Sequence, residues 1–178
     1  RPPGTARPTA RPDEAWQQRV DAQLAAARTG GHRIVFVGDS ITQGFEEDAG
    51  HAAWTKYIAP LGALDLGVSG DRTEHVLWRL QQAPLTRLQP ERIVLLIGTN
   101  NLGHRTSNAQ ETLQGVVEVI RTLRAQCPNA TLHVHEIFPR DEHFSAMRGD
   151  VLQVNQALRA FVRDENAKAG AANKLVLH

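Results

Sequence analysis

The most informative stretch of the sequence is Val35-Phe36-Val37-Gly38-Asp39-Ser40-Ile41-Thr42-Gln43-Gly44. An apolar, partly β-branched run from Ile34 to Val37 ends abruptly at a glycine, which predicts a short buried strand. The break places Ser40 at the carboxyl end of that strand, where ligands bind in open α/β sheets. Ser40 is therefore a candidate nucleophile. The alternative is a helix N-cap, a position that Ser and Asp both favour, and this stretch alone does not separate the two.

The composition is that of a globular chain and excludes several classes of function. The 178 residues, 41% hydrophobic and 22% charged with a formal net charge of +1, fit one domain with a sizeable core. The near-neutral balance of charge gives no reason to expect binding to nucleic acid or to a membrane surface. No apolar run approaches the roughly 18 residues of a membrane span. Cys127 is the single cysteine, so an intrachain disulfide and a cysteine-based metal site are excluded.

The first twelve residues differ from the rest of the chain. Residues 1–12 contain four prolines and no large apolar residue. A segment of this composition cannot build a core, so we expect a disordered tether ahead of a domain over residues 13–178. The sequence begins at Arg1, and a stretch rich in Pro, Thr and Ala often follows a cleaved signal peptide. This favours a secreted or periplasmic protein, with the cytoplasm as the alternative.

Predicted strands and helices alternate along the remaining chain. Short apolar runs predict five strands, at Arg33 to Val37, Leu64 to Leu66, Arg92 to Ile97, Thr131 to Phe138 and Lys174 to Leu177. Helical spacing predicts five helices. The first begins after Asp13, the second spans Ala52 to Ala59, the third includes Val76 to Leu80 and stops at Pro84, the fourth begins after Ser107 or Asn108, and the fifth includes Val151 to Val162. The third strand is apolar on both sides, which is typical of a parallel sheet covered on both faces. The alternation therefore predicts a doubly wound α/β sandwich.

Three of the predicted strands end in polar turns that contain glycine. These turns are Gly38-Asp39-Ser40, Gly67-Val68-Ser69-Gly70-Asp71 and Gly98-Thr99-Asn100-Asn101. Because the carboxyl ends of parallel strands open on one edge of the sheet, we expect the turns to converge. Acyl transfer needs a nucleophile and hydrogen-bond donors for the developing oxyanion. Ser40 Oγ could supply the first, and the N–H groups of Ser40 and Gly70 with the Asn100 amide could supply the second. Gly and Asn are also ordinary turn residues, so their occurrence together with Ser40 is what favours catalysis.

These blocks resemble the GDSL-type lipase and esterase family, also called SGNH hydrolases. Gly38-Asp39-Ser40 resembles the nucleophile block, Gly70 falls at the place of the oxyanion glycine, and Gly98-Thr99-Asn100 resembles the block whose Asn completes the oxyanion hole. The runs from Gly70 to Leu80 and from Phe138 to Arg140 resemble the branch that includes the catalytic subunits of platelet-activating-factor acetylhydrolase and related bacterial esterases.

The resemblance carries expectations about fold, chemistry and partners. It implies a flavodoxin-like three-layer sandwich with about five parallel strands and helices on both faces. It also implies hydrolysis of small acyl esters, acetyl esters in particular, without metal or cofactor, and it suggests a homodimer. Next to the three catalytic candidates we group Asp39, Asp71 and Arg72 as candidate substrate-binding residues. Asp71 and Arg72 are expected to brace the site through hydrogen bonds, and Asp39 to shape the turn.

One block of the family has no counterpart. The family carries an Asp-x-x-His near its C terminus, whose His is the general base and whose Asp orients that His. His178 does not match it, because Leu175 stands where the Asp would be. We therefore expect that the chain stops before its catalytic acid and base. Because removal of triad members lowers rates by orders of magnitude, we expect the 178-residue form to be nearly inactive.

Other histidines are weaker candidates for the missing base. His143, next to Asp141 and Glu142, follows the fourth predicted strand, although a solvated charged loop explains it better. His75 fits packing or a helix cap, and His104 fits an exposed loop.

Three further interpretations stay open. His133 and His135 alternate on one strand and share a face, as metal ligands sometimes do, but no third ligand is evident and core histidines are preferred. A non-catalytic binding or assembly module that kept the fold would also explain the missing block. Phosphate binding at the turn of residues 38–44 is the third interpretation, although that turn has no Walker-type lysine.

Overall fold

A computed structural model describes residues 2–82, 85–169 and 174–178. Five parallel strands form one sheet in the order β2-β1-β3-β4-β5, with the bounds β1 (Ile34–Gly38), β2 (Ala63–Gly67), β3 (Arg92–Leu96), β4 (Thr131–Val134) and β5 (Leu175–Leu177). The helices are α1 (Glu14–Thr29), α2 (Ser40–Gln43), α3 (Asp48–Ala53), α4 (Thr73–Gln82), α5 (Thr99–Gly103), α6 (Ala109–Gln126) and α7 (Ala146–Ala169). The predicted fold class is confirmed, and the predicted helix stop at Pro84 lies outside the described residues.

One face of the sheet carries the main core. The parallel register aligns Val35 with Ile93, Ile93 with Leu132, and Leu132 with Leu175, so these side chains point the same way. All four are at most 2% exposed and pack with apolar residues of α4, α6 and α7. Burying such side chains contributes roughly 1.5–3 kcal/mol each, which makes this face the main source of stability.

The other face is covered near β1 by an aromatic cluster. The ring centre of Phe36 lies 5.3 Å from that of Trp54 and 6.1 Å from that of Phe45. Trp54 belongs to the segment in which the sequence predicts a helix from residue 52 to 59. That helix begins earlier, as α3, and continues as a π-helical turn (Trp54–Ile58) and a 3-10 turn (Ala59–Leu61). Helical segments thus lie on both faces of the sheet.

Strand β4 ends four residues before the predicted boundary at Phe138. Beyond Val134 the N–H groups of His135 and Glu136 still donate to the carbonyls of Leu95 and His178, and Ile137 is held by the side chain of Asn155, which lies on α7 and is buried. Its Oδ1 accepts from the Ile137 N–H at 2.9 Å, and its Nδ2 donates to the Ile137 carbonyl at 2.9 Å. Because buried backbone groups need partners, this side chain replaces a neighbouring strand at that point.

Two helix starts are closed by the caps that the sequence predicts. Asp13 Oδ1 accepts from the Trp16 N–H at 3.0 Å at the start of α1. Of the two predicted caps for α6, the structure uses Asn108, whose Oδ1 accepts from the Glu111 N–H at 2.9 Å while Glu111 Oε2 accepts from the Asn108 N–H at 3.1 Å. Within the described ranges, no helix combines the length and the hydrophobicity that a membrane crossing requires.

The N-terminal segment differs from the expected disordered tether, because it packs along α4 and α6. Thr5 is 4% exposed, its Oγ1 donates to the Glu111 carbonyl at 2.7 Å, and its carbonyl accepts from Thr73 Oγ1 at 2.8 Å. Gly115 leaves room for this contact, since a Cβ there would lie 2.8 Å from the Thr5 carbonyl oxygen. A small residue on α6 therefore lets the backbone of this segment dock.

Candidate active site

Ser40 lies at the carboxyl end of β1, as the sequence predicts, and is exposed as the first residue of α2. Asp39 is the N-cap, and its Oδ1 accepts from the Ile41 N–H at 3.0 Å. The chain can turn back sharply here because residue 38 is glycine: a Cβ at Gly38 would lie 2.6 Å from the Leu96 carbonyl oxygen. The cap of α2 is therefore Asp39 and not Ser40, and the Ser40 side chain is left exposed to solvent.

Gly70 occupies a tight turn that follows β2. The Asp71 N–H donates to the Val68 carbonyl at 3.1 Å, and Gly70 has φ of +78° at the third position of this turn. A positive φ at that position, without one at Ser69, defines a type II turn, which requires Gly or Asn there. The Ser69 N–H donates to Gln43 Oε1 at 2.7 Å, so the turn is joined directly to α2 and to the Ser40 region.

Asn100 lies on α5, which follows β3, and its side chain is buried. The Asn100 Nδ2 group donates to the Asp71 carbonyl at 2.9 Å, which joins the third turn to the second. Since an amide nitrogen carries two hydrogens, a second donor remains beyond this bond. Gly98 starts the turn with φ of +121°, in close contact with Ile137. The three turns that the sequence places on one edge are therefore linked by hydrogen bonds into one unit.

Asp71 is fully buried and supports the three linked turns through hydrogen bonds of its carboxylate. Its Oδ2 accepts from Arg79 Nε at 2.8 Å, and its Oδ1 accepts from Trp16 Nε1 at 2.7 Å. Arg79 also donates to the carbonyls of Leu66 at 2.9 Å and Gly38 at 3.3 Å, so one guanidinium holds the ends of two strands. Burial raises the pKa of Asp71, while Arg79 and the Trp16 N–H act in the opposite direction.

Asp39 is also fully buried, and only one of its carboxylate oxygens has a partner. Within the described residues, Oδ2 has no hydrogen-bond partner. Burial raises the pKa of Asp39 to about 6, and the nearby Asp71 carboxylate adds to that increase. Because both carboxylates are inaccessible, the grouping of Asp39 and Asp71 with substrate-binding residues needs correction: they support the turns.

Arg72 and His75 interact with each other and are not arranged for proton transfer with Ser40. The Arg72 N–H donates to His75 Nδ1 at 3.0 Å, and the Arg72 guanidinium lies 2.8 Å from Glu74 Oε1. Burial, reinforced by the positive charge of Arg72, lowers the pKa of His75 to about 3. His75 therefore resists protonation and its Nδ1 already accepts a hydrogen bond, so it is poorly suited to take a proton from Ser40.

The remaining histidines do not assemble a base or a metal site. His104 and His143 lie in exposed loops. His133 Nδ1 lies 2.9 Å from His178 Nε2, and the rings of His133 and His135 both stack on that of His178. The described parts of the chain contain no group of three or more ligands that could hold a metal. No hydrogen bond joins Ser40 Oγ to a histidine among the described residues.

Several supporting residues could not be singled out from the sequence. Arg79 and Trp16 hold Asp71 from elements far away in the sequence, and Gln43 joins α2 to the Gly70 turn. Asn101 is buried, and its Oδ1 accepts from the Thr73 N–H at 3.1 Å at the start of α4. The sequence does show a second asparagine, Asn101, directly after Asn100. The family pattern, however, predicts a role for Asn100 alone.

Fold and site together define a class: an α/β protein that presents a serine hydroxyl and amide donors at the carboxyl edge of a parallel sheet. A sequence model of the GDSL-like Lipase/Acylhydrolase family matches residues 36–172. This chain belongs to the GDSL-like lipase/acylhydrolase family, and the predicted resemblance is confirmed.

Two curated relatives carry the name platelet-activating factor acetylhydrolase. The alpha1 subunit of its IB form from Homo sapiens is 32% identical over 148 residues, which cover 83% of this chain and 62% of that protein. The IB subunit beta homolog from Drosophila melanogaster is 30% identical over 151 residues, which cover 85% of this chain and 64% of that protein. The chain thus spans less than two thirds of the length of either relative.

Solved structures agree on the fold. A GDSL-like lipase from Bacteroides thetaiotaomicron superposes with a TM-score of 0.65 at 18% identity, covering 90% of this chain and 76% of that one. A carbohydrate esterase of family 3 from Talaromyces cellulolyticus superposes with a TM-score of 0.62 at 17% identity, covering 82% of this chain and 78% of that one. At these identities the likeness shows the shared fold alone.

Proposed function

We propose that the protein hydrolyses small acyl esters, acetyl esters among them, with Ser40 as the nucleophile. The observation that carries this proposal is the linkage of the three turns. The Ser69 N–H donates to Gln43 at 2.7 Å and Asn100 donates to the Asp71 carbonyl at 2.9 Å, so hydrogen bonds join the helix that begins at Ser40 to the Gly70 turn and that turn to Asn100. The names of the curated relatives and the family membership support ester hydrolysis as the reaction.

In this proposal the tetrahedral oxyanion is held by three N–H donors. The Gly70 N–H has no hydrogen-bond partner among the described residues and is free to donate. The second hydrogen of Asn100 Nδ2 and the Ser40 N–H complete the set. Donors that are already oriented stabilise developing charge without reorganisation, and loss of one such donor typically lowers kcat by about 10²–10³.

The general base is the part of the reaction that the described residues do not supply. His75 is disfavoured by its lowered pKa and its engaged Nδ1, and His143 is exposed on a charged loop. We propose that an Asp–His pair outside the 178 residues activates Ser40, as the family resemblance implies. The alternative is a binding or assembly module without catalysis, which the absence of a histidine bonded to Ser40 among the described residues favours.

Release of p-nitrophenol from p-nitrophenyl acetate tests the proposal. The complete product of the gene and residues 1–178 alone are assayed side by side, each with Ser40→Ala and Asn100→Ala. We expect Ser40→Ala to abolish hydrolysis and Asn100→Ala to lower kcat by about 10²-fold. Ser107→Ala, at a serine that precedes α6, controls for loss of a hydroxyl.

A fluorophosphonate probe separates the two functions independently of turnover. Mass spectrometry of the labelled protein should place one adduct on the peptide that contains Ser40 in the complete gene product. Hydrolysis by Ser40→Ala at the unchanged rate would exclude Ser40 as the nucleophile. Absence of both turnover and labelling in the complete gene product would instead favour the binding module.

The remaining alternatives are less well supported. Phosphate binding at the turn of residues 38–44 is disfavoured because α2 has only four residues and its N-cap is the carboxylate of Asp39. Because the curated relatives are named as subunits, we also propose that the chain self-associates as a homodimer. Sedimentation equilibrium measures this, and a mass of one chain across the concentration range would exclude it.

A further inference from the structure

Arg11 lies against the candidate oxyanion turn from the outside. Its Nη1 donates to the Ser69 carbonyl at 2.7 Å and lies 3.4 Å from Asp71 Oδ1. Its Nε donates to Asp13 Oδ2 at 3.0 Å, so the guanidinium is fixed at both ends. A Cβ added to Gly70 would lie 3.0 Å from Nη1, which shows how closely the side chain covers that residue. Arg11 thus contacts the residues on both sides of Gly70.

Because of the geometry of the turn, the contact between Arg11 and the Ser69 carbonyl also sets the direction of the Gly70 N–H. The Ser69–Gly70 peptide is planar, so its C=O and its N–H point in opposite directions. In a type II turn the central peptide has one orientation, and in a type I turn it is flipped, with a negative φ at the third residue. Gly70 has no Cβ and tolerates both signs of φ, so the residue itself does not prevent the flip. A donor that holds the Ser69 carbonyl on one side therefore holds the Gly70 N–H on the other.

The segment that carries Arg11 is itself anchored. Thr5 is buried between α4 and α6, and the Thr9 N–H donates to the Glu74 carbonyl at 3.0 Å. The Arg11 side chain is 24% exposed, which leaves its contacts only partly screened by solvent. An anchored segment delivers the guanidinium at a lower entropic cost than a free tether would.

We propose that Arg11 is a positioning residue that keeps the Gly70 N–H directed toward the oxyanion. The proposal rests on the proposed hydrolysis for its kinetic consequence, but its structural consequence stands without it. Without Arg11, the Ser69–Gly70 peptide samples both orientations and the donor is correctly placed for only part of the time. Asp71 retains Arg79 and Trp16, so the fold persists.

NMR couplings between the amide proton and the two α protons of Gly70 test the structural part. The wild type should show a single positive φ, as the structure has, and Arg11→Ala should show an average over positive and negative φ. Arg7→Ala, at an exposed arginine of the same segment, is the matched control and should keep the wild-type value. Gly62, with φ of +76° in a separate turn, is the internal reference. A purely positive φ of Gly70 in Arg11→Ala would overturn the proposal.

Kinetics of the complete gene product test the catalytic part. We expect Arg11→Ala to lower kcat by between about 10- and 100-fold with KM changed less than about twofold, because the donor acts on the oxyanion and not on the bound ester. Millimolar guanidinium should restore part of kcat in Arg11→Ala but not in Asn100→Ala. Arg11→Lys should remain impaired, since an ammonium lacks the fork that reaches Asp13 and Ser69 together.

The NMR and kinetic experiments together distinguish a failure of the proposed hydrolysis from a failure of the positioning role of Arg11. If Ser40→Ala hydrolyses the ester at the wild-type rate, the proposed function fails, and the Gly70 couplings alone decide the role of Arg11. If Ser40→Ala is inactive while Arg11→Ala keeps the wild-type kcat, the hydrolase proposal stands and the positioning role is refuted.

Discussion

Replacing Asp39 by asparagine isolates the free energy of burying a carboxylate next to Ser40. Asp39 is fully buried, Oδ1 caps α2 through Ile41, and Oδ2 has no partner within the described residues. An asparagine side chain at this position would keep an acceptor for the Ile41 N–H and would remove the buried charge. The substitution therefore preserves the cap and changes mainly the ionisation.

The expected magnitude follows from the pKa. Burial raises the pKa of Asp39 from 3.8 to about 6 in the folded state, a shift of about two units. The native state then holds a proton that the unfolded state releases, so stability falls as pH rises from about 4 to about 6 and is constant above that. Asp39→Asn is neutral at every pH, so its stability does not fall in this way as pH rises. Relative to the wild type, Asp39→Asn should gain up to about 3 kcal/mol between pH 4 and pH 7.

The difference between the two proteins must be measured, because the wild-type curve alone combines opposing contributions. Burial lowers the pKa of His75 to about 3, so the unfolded state gains a proton that the native state refuses. Stability from that group falls as pH falls below about 6.5, the reverse of the trend from Asp39. Subtracting the wild type from Asp39→Asn at each pH cancels His75 and the other shared groups that do not interact with Asp39.

Urea unfolding monitored by tryptophan fluorescence, at a series of pH values from about 4.5 to about 8, gives the required free energies. Asp21→Asn, at an exposed aspartate of α1, controls for the change in net charge. We expect the Asp39→Asn difference to rise with pH and to reach a plateau near pH 7. A difference that is independent of pH, or that decreases with pH, would refute the assignment of a buried carboxylate with a raised pKa.

Two further substitutions test the strand ends that hold the site. Burial raises the pKa of Asp65 to about 7, and its Oδ2 has no partner among the described residues, so Asp65→Asn should stabilise the protein at pH 8 by up to about 4 kcal/mol in the same urea assay and by less at pH 5. An unchanged stability at pH 8 would contradict this. A Cβ at Gly67 would lie 2.8 Å from Thr42 Cβ, so Gly67→Ala should lower the free energy of unfolding by about 2 kcal/mol. Gly149→Ala on α7, where a Cβ meets nothing within 4 Å, should raise it by about 0.5–1 kcal/mol, and equal effects of the two would exclude a steric cause at Gly67.

The order of the elements could be predicted because it depends on local patterns. The apolar run that ends at Gly38 and the two later strand ends at Gly67 and Gly98 indicate strands from neighbouring residues alone. A parallel sheet then places Ser40, Gly70 and Asn100 on one edge without any knowledge of distances. Caps are equally local, and Asp13 and Asn108 act over three residues.

The errors of prediction share a cause. The strand predicted to reach Phe138 ends at Val134, and the backbone bonds of Ile137 go to Asn155, eighteen residues away in the sequence. The tether predicted for residues 1–12 docks because Gly115 makes room for Thr5. Neither outcome can be inferred from composition, since each depends on a partner that is distant in the sequence.

Local patterns in the sequence were enough to predict a parallel α/β protein of the GDSL-like family with Ser40, Gly70 and Asn100 at one edge of the sheet. The tertiary structure was needed to find that Asp39 and Asp71 are buried, that burial lowers the pKa of His75, and that Arg11 contacts the Gly70 turn across 58 residues of sequence. The physical reason is that periodicity records which face of an element is buried. The partner of a buried polar group is set by which distant segments the folded chain brings together.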